Sequence, residues 1–387
     1  MDAREGADLR VLVDATAVPA DRGGVGRYLD ALLPELVRPG VDVEVVVQER
    51  DVALVESAGA AVSVVPAWAR HPAARLVWEQ VGLPWLATRR RPDVVLSPHY
   101  TMPLLAPVPV VVTLHDATFF TDPDLHSPLK ARFFRMWTRL AGRLAAGLVV
   151  PSAATGAEVA REAGVDPART TVAHHGVDRD LFGPPSAADV DRVARSLGLA
   201  GRSWVAFLGT IEPRKNVPAL VRGWVGAVGD LSDPPALVLA GGRGWDDEVD
   251  GAVRAVPPRL TVVRPGYLPL ADLPALLGGA DVVAYPSLGE GFGLPVLEAM
   301  ACGAAVLTTD RLALPEVGGD AVAYTDVDDR AIGDALGALL ADPARRAALG
   351  GAARARAAGF TWSRAADQHV EAFRAARGRG PWWRRQA

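Results

Sequence analysis

The stretch PSLGEGFGLPVLEAMACG, from Pro286 to Gly303, consists almost entirely of apolar residues, glycine and proline, yet it carries two glutamates. Glu290 and Glu298 have seven residues between them, and the stretch contains no basic residue. Pro295 suits the first turn of a helix, and the residues that follow are apolar on every side, which is typical of a buried helix. Because a buried carboxylate is costly without partners, the two glutamates indicate a binding site.

Two interpretations of these glutamates stay open from the residues alone. Glu298 could be satisfied by backbone groups or by an arginine elsewhere, and Glu290 could be an acid that merely favours the start of a helix. Alternatively, both carboxylates bind hydroxyl groups, which a sugar or a ribose offers in pairs. The glycines Gly289, Gly291 and Gly293 favour a ligand, because backbone without side chains can approach it closely and can adopt positive φ.

The rest of the chain alternates predicted strands with predicted helices. Short runs rich in valine and leucine are typical of buried parallel strands. They occur in both halves of the chain, as LRVLVDA, VDVEVVVQE, RPDVVLSP, VPVVVTLHD and GLVVPS, then as SWVAFLGT, PALVLAGG, RLTVVRPG, DVVAYPS and GAAVLTTD. The 387 residues therefore predict two α/β domains with parallel sheets, 1–183 and 184–360, and a helical tail, 361–387, that could pack back on the N-terminal domain.

The composition narrows the class of protein. Hydrophobic residues make up 50% and charged residues 22%, as in ordinary globular proteins, and the net charge of −4 gives no indication of nucleic acid. Cys302 is the single cysteine, so no disulfide can form within the chain, which fits a reducing, cytoplasmic compartment. The N-terminus MDAREGADLR lacks the apolar core of a secretory signal, and no apolar run is long enough to span a membrane.

A second polar segment, TIEPRKNVPAL, follows a predicted strand of the second half. In open α/β sheets, ligands bind at the carboxyl ends of strands. Asn216 is predicted as the N-cap of the next helix and Pro218 as an early helical position, so Arg214 and Lys215 lie at the positive end of the helix dipole. Two cations there indicate either a phosphate site or a solvated basic turn. Lys215 and Lys130 are the two lysines of a chain with 39 arginines.

These segments together resemble retaining glycosyltransferases of family 4. EGFGLPVLEAMACG is similar to the family's Glu-x7-Glu motif, and GTIEPRKN to its phosphate-binding segment. GGVGRY (23–28), HD (115–116), GVD (176–178) and GY (266–267) also fall in the family's order, so the resemblance covers nearly the whole chain. It implies the GT-B fold, in which two Rossmann-like domains with parallel sheets face each other across a cleft.

The resemblance implies a role for each matching position. Arg214 and Lys215 match the pair that contacts the donor diphosphate. Glu298 matches the glutamate that binds the ribose, and Glu290 the glutamate near the donor sugar. The other matching positions are Gly24 in the glycine loop near the phosphates, His115 near the anomeric centre, the backbone of Phe292, Gly293 and Leu294 near the sugar and phosphate, and Tyr267 and Leu268 near the base.

Three further features bear on the resemblance. His175 stands where many members have asparagine, and we give it no role. The loop ATAVPADRGGVGRY does not fit the spacing G-x-G-x-x-G, which weakens an NAD-binding interpretation. No cluster of metal ligands is visible in the sequence, in line with the metal-independent chemistry of the family, so neither a metal nor a cofactor is expected.

The activity implied is transfer of a hexose from a nucleotide-sugar donor to a hydroxyl of a glycan or of a polyprenyl- or other lipid-linked acceptor. Retention is implied through a same-face substitution in which the leaving phosphate acts as the base. GDP-mannose is the first choice of donor, because the look-alikes are mannosyltransferases of polysaccharide and O-antigen assembly; UDP- and dTDP-sugars stay open. The alternatives are a sugar-nucleotide epimerase of the same fold, a pyridoxal phosphate enzyme with a lysine Schiff base, and a non-catalytic nucleotide-sugar-binding protein.

The segment KARFFRMWTRLAGRL (130–144) predicts a basic amphipathic helix. One face carries Phe133, Trp137, Leu140 and Leu144, and another carries Arg132, Arg135, Arg139 and Arg143. Such a helix can lie on the anionic inner face of a cell membrane, with Arg89, Arg90, Arg91 and the tail PWWRRQA adding to the patch. The alternative is that the apolar face belongs to the core. HDATFFTDPDLHSPLK (115–130) is predicted as a long, acceptor-binding loop.

Overall fold

The computed structural model describes residues 9–20, 22–121 and 127–385, so part of the predicted acceptor loop lies outside the described residues. Two compact units are present. The first runs to Gly176 and resumes at Thr361, and the second is Val177–Phe360.

The division between the units lies earlier than the predicted boundary between residues 183 and 184. The residues just after Gly176 belong to the second core, since Val177 and Phe182 are buried in it. The backbone N–H of Val177 also donates to the carbonyl of Phe360, the last residue of that unit (N···O 3.1 Å). The chain therefore leaves the first unit and returns to it at neighbouring points.

The first unit is built on a seven-stranded sheet in which every pair of neighbouring strands is parallel. Its strands are β1 (Leu9–Asp14), β2 (Val41–Val47), β3 (Ala61–Val64), β4 (Val94–Ser97), β5 (Val110–Thr113), β6 (Gly147–Val150) and β7 (Thr170–Val172). Their order is β3-β2-β1-β4-β5-β6-β7. The predicted strands of this half are confirmed. The two edge strands β3 and β7 were not predicted, because neither contains a buried residue and so neither reads as an apolar run.

Helices cover both faces of this sheet. They are α1 (Gly24–Leu36), α2 (Val52–Ser57), α3 (Pro72–Arg90), α4 (Thr118–Thr121), α5 (Pro128–Leu144) and α6 (Ala153–Ala163). The leucines of α1 are buried in the core on one side of the sheet; they are Leu29, Leu32, Leu33 and Leu36. Buried side chains of α3, α5 and α6 form the core on the other side, so these three helices belong to one layer.

The predicted apolar face of 130–144 packs into the protein. Trp137 is buried in the core, and Phe133, Leu140 and Leu144 are packed against it. The interpretation in which these side chains lie on a membrane is therefore wrong, because the sheet already covers them. The arginines of the other face are directed outward, with Arg132, Arg139 and Arg143 exposed and Arg135 half-buried.

The second unit has a six-stranded, all-parallel sheet. Its strands are β8 (Trp204–Leu208), β9 (Ala236–Ala240), β10 (Val262–Gly266), β11 (Val282–Tyr285), β12 (Val306–Thr309) and β13 (Ala323–Thr325), in the order β10-β9-β8-β11-β12-β13. Its helices are α7 (Ala187–Ser196), α8 (Val217–Val228), α9 (Val249–Arg254), α10 (Leu273–Gly278), α11 (Leu294–Ala301), α12 (Leu314–Gly318), α13 (Asp329–Leu340) and α14 (Pro343–Ala357). All five strands predicted in this half are present, and the three-residue edge strand β13 was not predicted.

The tail forms α15 (Trp362–Arg379) and α16 (Trp382–Arg385). Buried side chains of α15, including Val370 and Phe373, lie in the same core as α1. Arg379 donates to the carbonyls of Ala146 and Ala168 (3.0 and 2.9 Å), so the end of α15 is tied to the same unit. Across the described ranges, no helix combines the length and the apolar composition that crossing a bilayer requires.

Both sheets have the same connectivity around their first strand. β1 pairs with β2 on one side and with β4 on the other, and β8 pairs in the same way with β9 and β11. The strand order reverses at β1/β4 and at β8/β11. In open α/β sheets, the crevice beyond the carboxyl ends of the strands at such a switch point is the place where ligands bind.

Candidate active site

A cluster of buried charges lies at the β8/β11 switch point. Arg214 and Lys215 belong to a 3₁₀ turn, Pro213–Lys215, in the loop after β8, and Glu290 lies in the loop after β11. One Glu290 oxygen, Oε2, accepts from Arg214 Nη1 at 2.5 Å, and the other, Oε1, accepts from Lys215 Nζ at 2.6 Å. The carboxylate that the sequence leaves without a basic partner is thus paired with both cations of the other loop.

Two further side chains complete this cluster. Ser287 Oγ and the Tyr285 hydroxyl lie 2.7 and 3.0 Å from Glu290 Oε1, and Lys215 Nζ also donates to the Tyr285 hydroxyl. Arg214 Nη1 donates to the Gly289 carbonyl at 2.8 Å. The backbone joins the two loops as well, since Leu288 N donates to the Arg214 carbonyl at 2.8 Å. These contacts hold the loops after β8 and β11 together as one surface.

The charges in this cluster shift one another's pKa values. Burial alone would raise the pKa of Glu290, but the charges of Arg214 and Lys215 outweigh burial and lower that pKa to about 2. Burial, reinforced by the Arg214 charge, lowers the pKa of Lys215. Glu290 is therefore ionised at neutral pH and lies within hydrogen-bonding distance of two cations, one of which, Arg214, also pairs with Glu212 at 3.4 Å.

The start of α8 differs from the prediction in one respect. Asn216 holds the N-cap position and Pro218 lies in the first turn, as predicted, but the Asn216 side chain makes no cap hydrogen bond. Instead, Asn216 has a left-handed backbone (φ 57°), and its Nδ2 donates to the carbonyl of Val327 at 2.7 Å. The left-handed residue turns the chain between the 3₁₀ turn and α8, which places Arg214 and Lys215 toward Glu290.

Helix α11 is buried as its sequence predicts. Six of its residues are buried, among them Glu298, which is 3% exposed. Of the three alternating glycines before it, Gly293 alone has positive φ, at 100°. Gly293 is the N-cap, and Pro295 lies in the first turn. The prediction of positive φ is therefore confirmed at Gly293, whose conformation an L-residue adopts only with strain, whereas the close approach of a ligand stays a prediction.

Two of the remaining candidates of the second unit, Phe292 and Leu294, lie at or just before the start of α11, and two others follow β10. Phe292 is buried, and its ring contacts Phe360 edge-on (centroids 6.0 Å, interplanar angle 68°). Leu294 is the first, half-buried residue of α11. Tyr267 and Leu268 follow β10; Tyr267 is 64% exposed, and Leu268 packs against the core. A Cβ at Gly242 would lie 2.6 Å from the Tyr267 hydroxyl, so that ring lies over the backbone after β9.

His115 follows β5 in the first unit. Its Nε2 lies 2.6 Å from the Pro98 carbonyl, which can only accept, so Nε2 carries the proton. The ring contacts Tyr28 edge-on (centroids 5.0 Å, 79°) and Tyr100 (6.1 Å, 61°). Burial lowers the pKa of His115. The ring is therefore neutral at neutral pH, with Nδ1 as the nitrogen that has a lone pair.

Gly24 is the first residue of α1, after the N-cap Gly23, and no side chain caps this helix. A Cβ at Gly24 would meet nothing within 4 Å. The described residues thus place the candidates in two groups. Arg214, Lys215 and Glu290 are in contact, with the Glu298 segment directly after them in the chain, whereas His115 and Gly24 belong to the first unit.

Several residues of these sites were not predicted from the sequence. Tyr285 and Ser287 both contact Glu290; Tyr285 ends β11 and Ser287 follows it, and this position at the carboxyl end of the strand was the signal that could have found them. Tyr28 belongs to the quoted segment GGVGRY, but nothing in the sequence indicates that its ring packs on His115. His369 in α15, which bonds to Tyr28, gave no signal at all.

Residues 22–181 match the profile of Glycosyltransferase Family 4, and residues 191–356 match that of Glycosyl transferases group 1. The O-antigen chain mannosyltransferase B of Escherichia coli is 31% identical over 266 residues, which are 68% of this chain and 70% of that protein. The D-inositol 3-phosphate glycosyltransferase of Mycolicibacterium paratuberculosis is 38% identical over 225 residues, but the match spans only 48% of that protein and 54% of this chain.

Among solved structures, HepE of Anabaena in complex with UDP-glucose superposes with a TM-score of 0.74 at 20% identity, covering 94% of this chain and 98% of that one. Sucrose-phosphate synthase of Thermosynechococcus elongatus gives a TM-score of 0.75 at 20% identity, covering 95% and 98%. Two parallel α/β units with these neighbours define the GT-B class of folds. The chain belongs to glycosyltransferase family 4, and its activity is that of a glycosyltransferase.

Proposed function

We propose that the protein transfers a hexose, with retention and without a metal, from a nucleotide-sugar to a hydroxyl of a glycan or lipid-linked acceptor. The observation that carries this proposal is the cluster of Arg214, Lys215 and Glu290 at the β8/β11 switch point. GDP-mannose is our first choice of donor, supported by the similarity to a mannosyltransferase. UDP- and dTDP-sugars are the alternatives.

The two cations suit a diphosphate leaving group. When the bond between the anomeric carbon and the diphosphate breaks, the electron pair stays on the phosphate oxygen, and positive charge positioned beforehand stabilises it. Arg214 presents several N–H donors and Lys215 a compact charge, so an arriving diphosphate can share both with Glu290. This is the charge that a divalent metal would otherwise supply, and it supports the proposal of metal-independent transfer.

The carboxylates and the imidazole suit the sugar and the ribose. Glu290 is ionised and can accept hydrogen bonds from sugar hydroxyls, and Glu298 is proposed to do the same for the ribose. His115 has its Nε2–H bonded to Pro98, so Nδ1 can accept from a hydroxyl of the transferred sugar. In the proposed same-face substitution, the acceptor oxygen bonds to the anomeric carbon, and its proton passes to the leaving phosphate oxygen.

We also propose that the first unit contacts an anionic lipid surface on the inner face of the cell membrane. Helices α3 and α5 cover the same face of the sheet, and apart from Thr88 their exposed residues are apolar or cationic. On α3, Val77, Val81 and Trp85 form an exposed stripe at helical spacing, and the Arg89 guanidinium lies 4.3 Å from the centre of a Trp85 ring. The single acid of α3, Glu79, is buried. Aromatic and cationic side chains together suit a membrane interface.

The first experiment is a thermal-shift panel with GDP, UDP, dTDP, NAD and pyridoxal phosphate, on the wild type and on Arg214→Ala. A ligand at 100 times its Kd adds about 2.7 kcal/mol to the free energy of unfolding. We expect one nucleoside diphosphate to raise the unfolding temperature of the wild type and not of the variant.

The matched control is Arg222→Ala, which removes an exposed arginine of α8 that pairs with Asp329, and it should respond like the wild type. A response to NAD or pyridoxal phosphate alone would overturn the proposal. Product analysis with nucleotide-sugars of the responding nucleoside diphosphate then separates transfer from epimerisation or binding alone.

A further inference from the structure

The first unit contains three buried rings that the proposed mechanism does not use, those of Tyr28, His175 and His369. Tyr28 of α1 is 1% exposed, and its ring contacts three histidines: His115, His175 and His369. The last of these belongs to α15, the helix with which the chain returns to this unit. The group therefore joins the segment that carries His115 to the C-terminal helix.

The hydrogen bonds of Tyr28 have a defined direction. His369 Nδ1 lies 2.7 Å from the Ala365 carbonyl, so Nδ1 carries the proton and Nε2 accepts. The Tyr28 hydroxyl, 2.7 Å from Nε2, donates to it, and Thr113 Oγ1 lies 3.2 Å from the same hydroxyl, to which it can donate. Thr113 is the last residue of β5, two positions before His115. Tyr28 is thus fixed both to α15 and to the strand that leads to His115.

Tyr100 contacts His115 as well. Its hydroxyl accepts from the backbone N–H of Asp116 at 3.0 Å and lies 3.3 Å from the Asp116 carbonyl, so it is tied to the residue after His115. Tyr100 has positive φ, 39°, which is uncommon for a bulky residue and carries a cost of about 1–3 kcal/mol. Such strain is retained where the surrounding structure demands one orientation of a side chain.

The start of α15 is also held tightly in place. The His175 ring stacks on Trp362, the first residue of that helix (centroids 5.5 Å, 25°). Gly176 packs so closely that a Cβ there would lie 2.1 Å from the Trp362 backbone nitrogen. Because no side chain fits between these segments, α15 and its His369 have little freedom to move relative to Tyr28.

We propose that Tyr28, Tyr100 and His369 are positioning residues for His115, and that the C-terminal helix is thereby part of the active-site structure. Two tyrosine rings hold the imidazole, and the Pro98 carbonyl sets its tautomer with Nδ1 unprotonated. His369 acts through Tyr28, whose hydroxyl it fixes. This inference rests on the proposed role of His115 in transfer.

The test uses the full chain and the variants Tyr28→Phe, Tyr100→Phe, His369→Leu and His369→Gln. A glutamine amide oxygen can accept from the Tyr28 hydroxyl, whereas leucine cannot. Tyr324→Phe is the matched control, because it removes one tyrosine hydrogen bond, to the Gly319 carbonyl at 2.8 Å, in the second unit.

The first readout is release of the nucleoside diphosphate identified in the thermal-shift panel from its nucleotide-sugars, with water as acceptor. Misplacing a reacting group by 1 Å can cost about 100-fold in rate, so we expect kcat to fall about 10- to 100-fold in Tyr28→Phe, Tyr100→Phe and His369→Leu, with donor KM nearly unchanged. His369→Gln should keep most of the activity. If His369→Leu behaves like Tyr324→Phe, or if the leucine and glutamine variants fall equally, His369 is not a positioning residue.

The second readout needs no substrate. In ¹⁵N-edited NMR spectra of the histidine rings, His115 of the wild type should be neutral with its proton on Nε2. In Tyr28→Phe and His369→Leu both tautomers should be populated, because a loosely held ring moves away from the Pro98 carbonyl that fixes the tautomer. An unchanged His115 tautomer in both variants would overturn the inference. If no nucleoside diphosphate binds the wild type, the proposed function fails, and this readout still decides whether His369 and Tyr28 position His115.

Discussion

The first six strands of the two sheets follow the same order, yet the buried glutamates near their switch points have opposite pKa shifts. Glu290, after β11, contacts two cations, and its pKa is lowered to about 2. Glu79, on α3, accepts from Arg75 Nη1 at 2.5 Å and from the Thr101 hydroxyl at 2.8 Å, near the carboxyl end of β4. Burial, and then the charge of Asp14 at the end of β1, raise the pKa of Glu79 to about 7.

The number of cations for each carboxylate explains this difference. Both glutamates are penalised by burial, which favours the protonated form. Arg214 and Lys215 both pair with Glu290, whereas the charge of Arg75 acts on both Glu79 and Asp14. A second cation therefore reverses the sign of the shift. The cluster of the second unit suits an anionic ligand, whereas that of the first unit takes up a proton near neutral pH.

The largest expected effect comes from Glu290→Gln. We expect turnover to fall by about 10²–10³-fold, because a group that contacts the reacting sugar is lost and the two cations are left without their carboxylate. Nucleoside diphosphate binding should persist, since Arg214 and Lys215 remain. Initial rates and the thermal-shift response measure the two effects separately, and unchanged turnover would remove Glu290 from the mechanism.

Replacing each of these two glutamates by glutamine should lower the free energy of unfolding at pH 7 by a different amount. Removing one partner of a buried ion pair costs about 3–5 kcal/mol, and we expect a loss of that size in Glu290→Gln. Glu79→Gln should cost clearly less, because a carboxyl with a pKa of about 7 is already partly protonated. Urea unfolding, followed by hydrogen exchange of peptides from each unit, measures both. Equal losses would show that cation number does not explain the comparison.

The pH dependence of stability should have opposite signs in the two units. Since the pKa of Glu290 is lowered from 4.5 to about 2, its contribution is fully present above pH 4.5 and is lost as the pH falls toward 2. Since the pKa of Glu79 is raised from 4.5 to about 7, its contribution is present below pH 4.5 and is lost as the pH rises through 7.

Each of these shifts corresponds to about 3 kcal/mol at most. Urea unfolding of each unit at pH 3, 5 and 8 measures the two slopes, with Glu290→Gln and Glu79→Gln as the matched controls that should each flatten one of them. A slope that persists in its own variant would show that another group causes it.

The smallest effect concerns the glycines that begin a helix in each unit. Gly293 has φ of 100°, and a Cβ there would lie 2.9 Å from Leu314 Cδ2, so Gly293→Ala should cost about 1–2 kcal/mol. Gly24 has no positive φ, and a Cβ there would meet nothing within 4 Å, so Gly24→Ala should leave the free energy of unfolding unchanged. If Gly24 approaches the donor phosphates, as the resemblance implies, the alanine variant should instead raise the donor KM. Urea unfolding and initial rates check both variants.

Local patterns predicted most of the elements but missed three of the four strands at the edges of the described sheets. The central strands are continuous apolar runs because helices cover both of their faces, and each was found. β3, β7 and β13 lie at sheet edges and are three or four residues long, so their sequences lack such a run. The helix 130–144 was predicted correctly as amphipathic, but its periodicity could not tell a core from a membrane on its apolar side.

By itself, the sequence determined that the chain forms two parallel α/β units, that α11 is buried, and that Glu290, Arg214 and Lys215 follow strands of one sheet. These features follow from the residue types and from the spacing of apolar residues, which are properties of a few neighbouring positions. The tertiary structure alone decided that Arg214 and Lys215 pair with Glu290, 76 and 75 positions away, and that His369 bonds to Tyr28, 341 positions away. Such pairings depend on the order of the strands and on the way the chain returns to the first unit at Thr361. Neither property can be predicted from a short stretch of sequence.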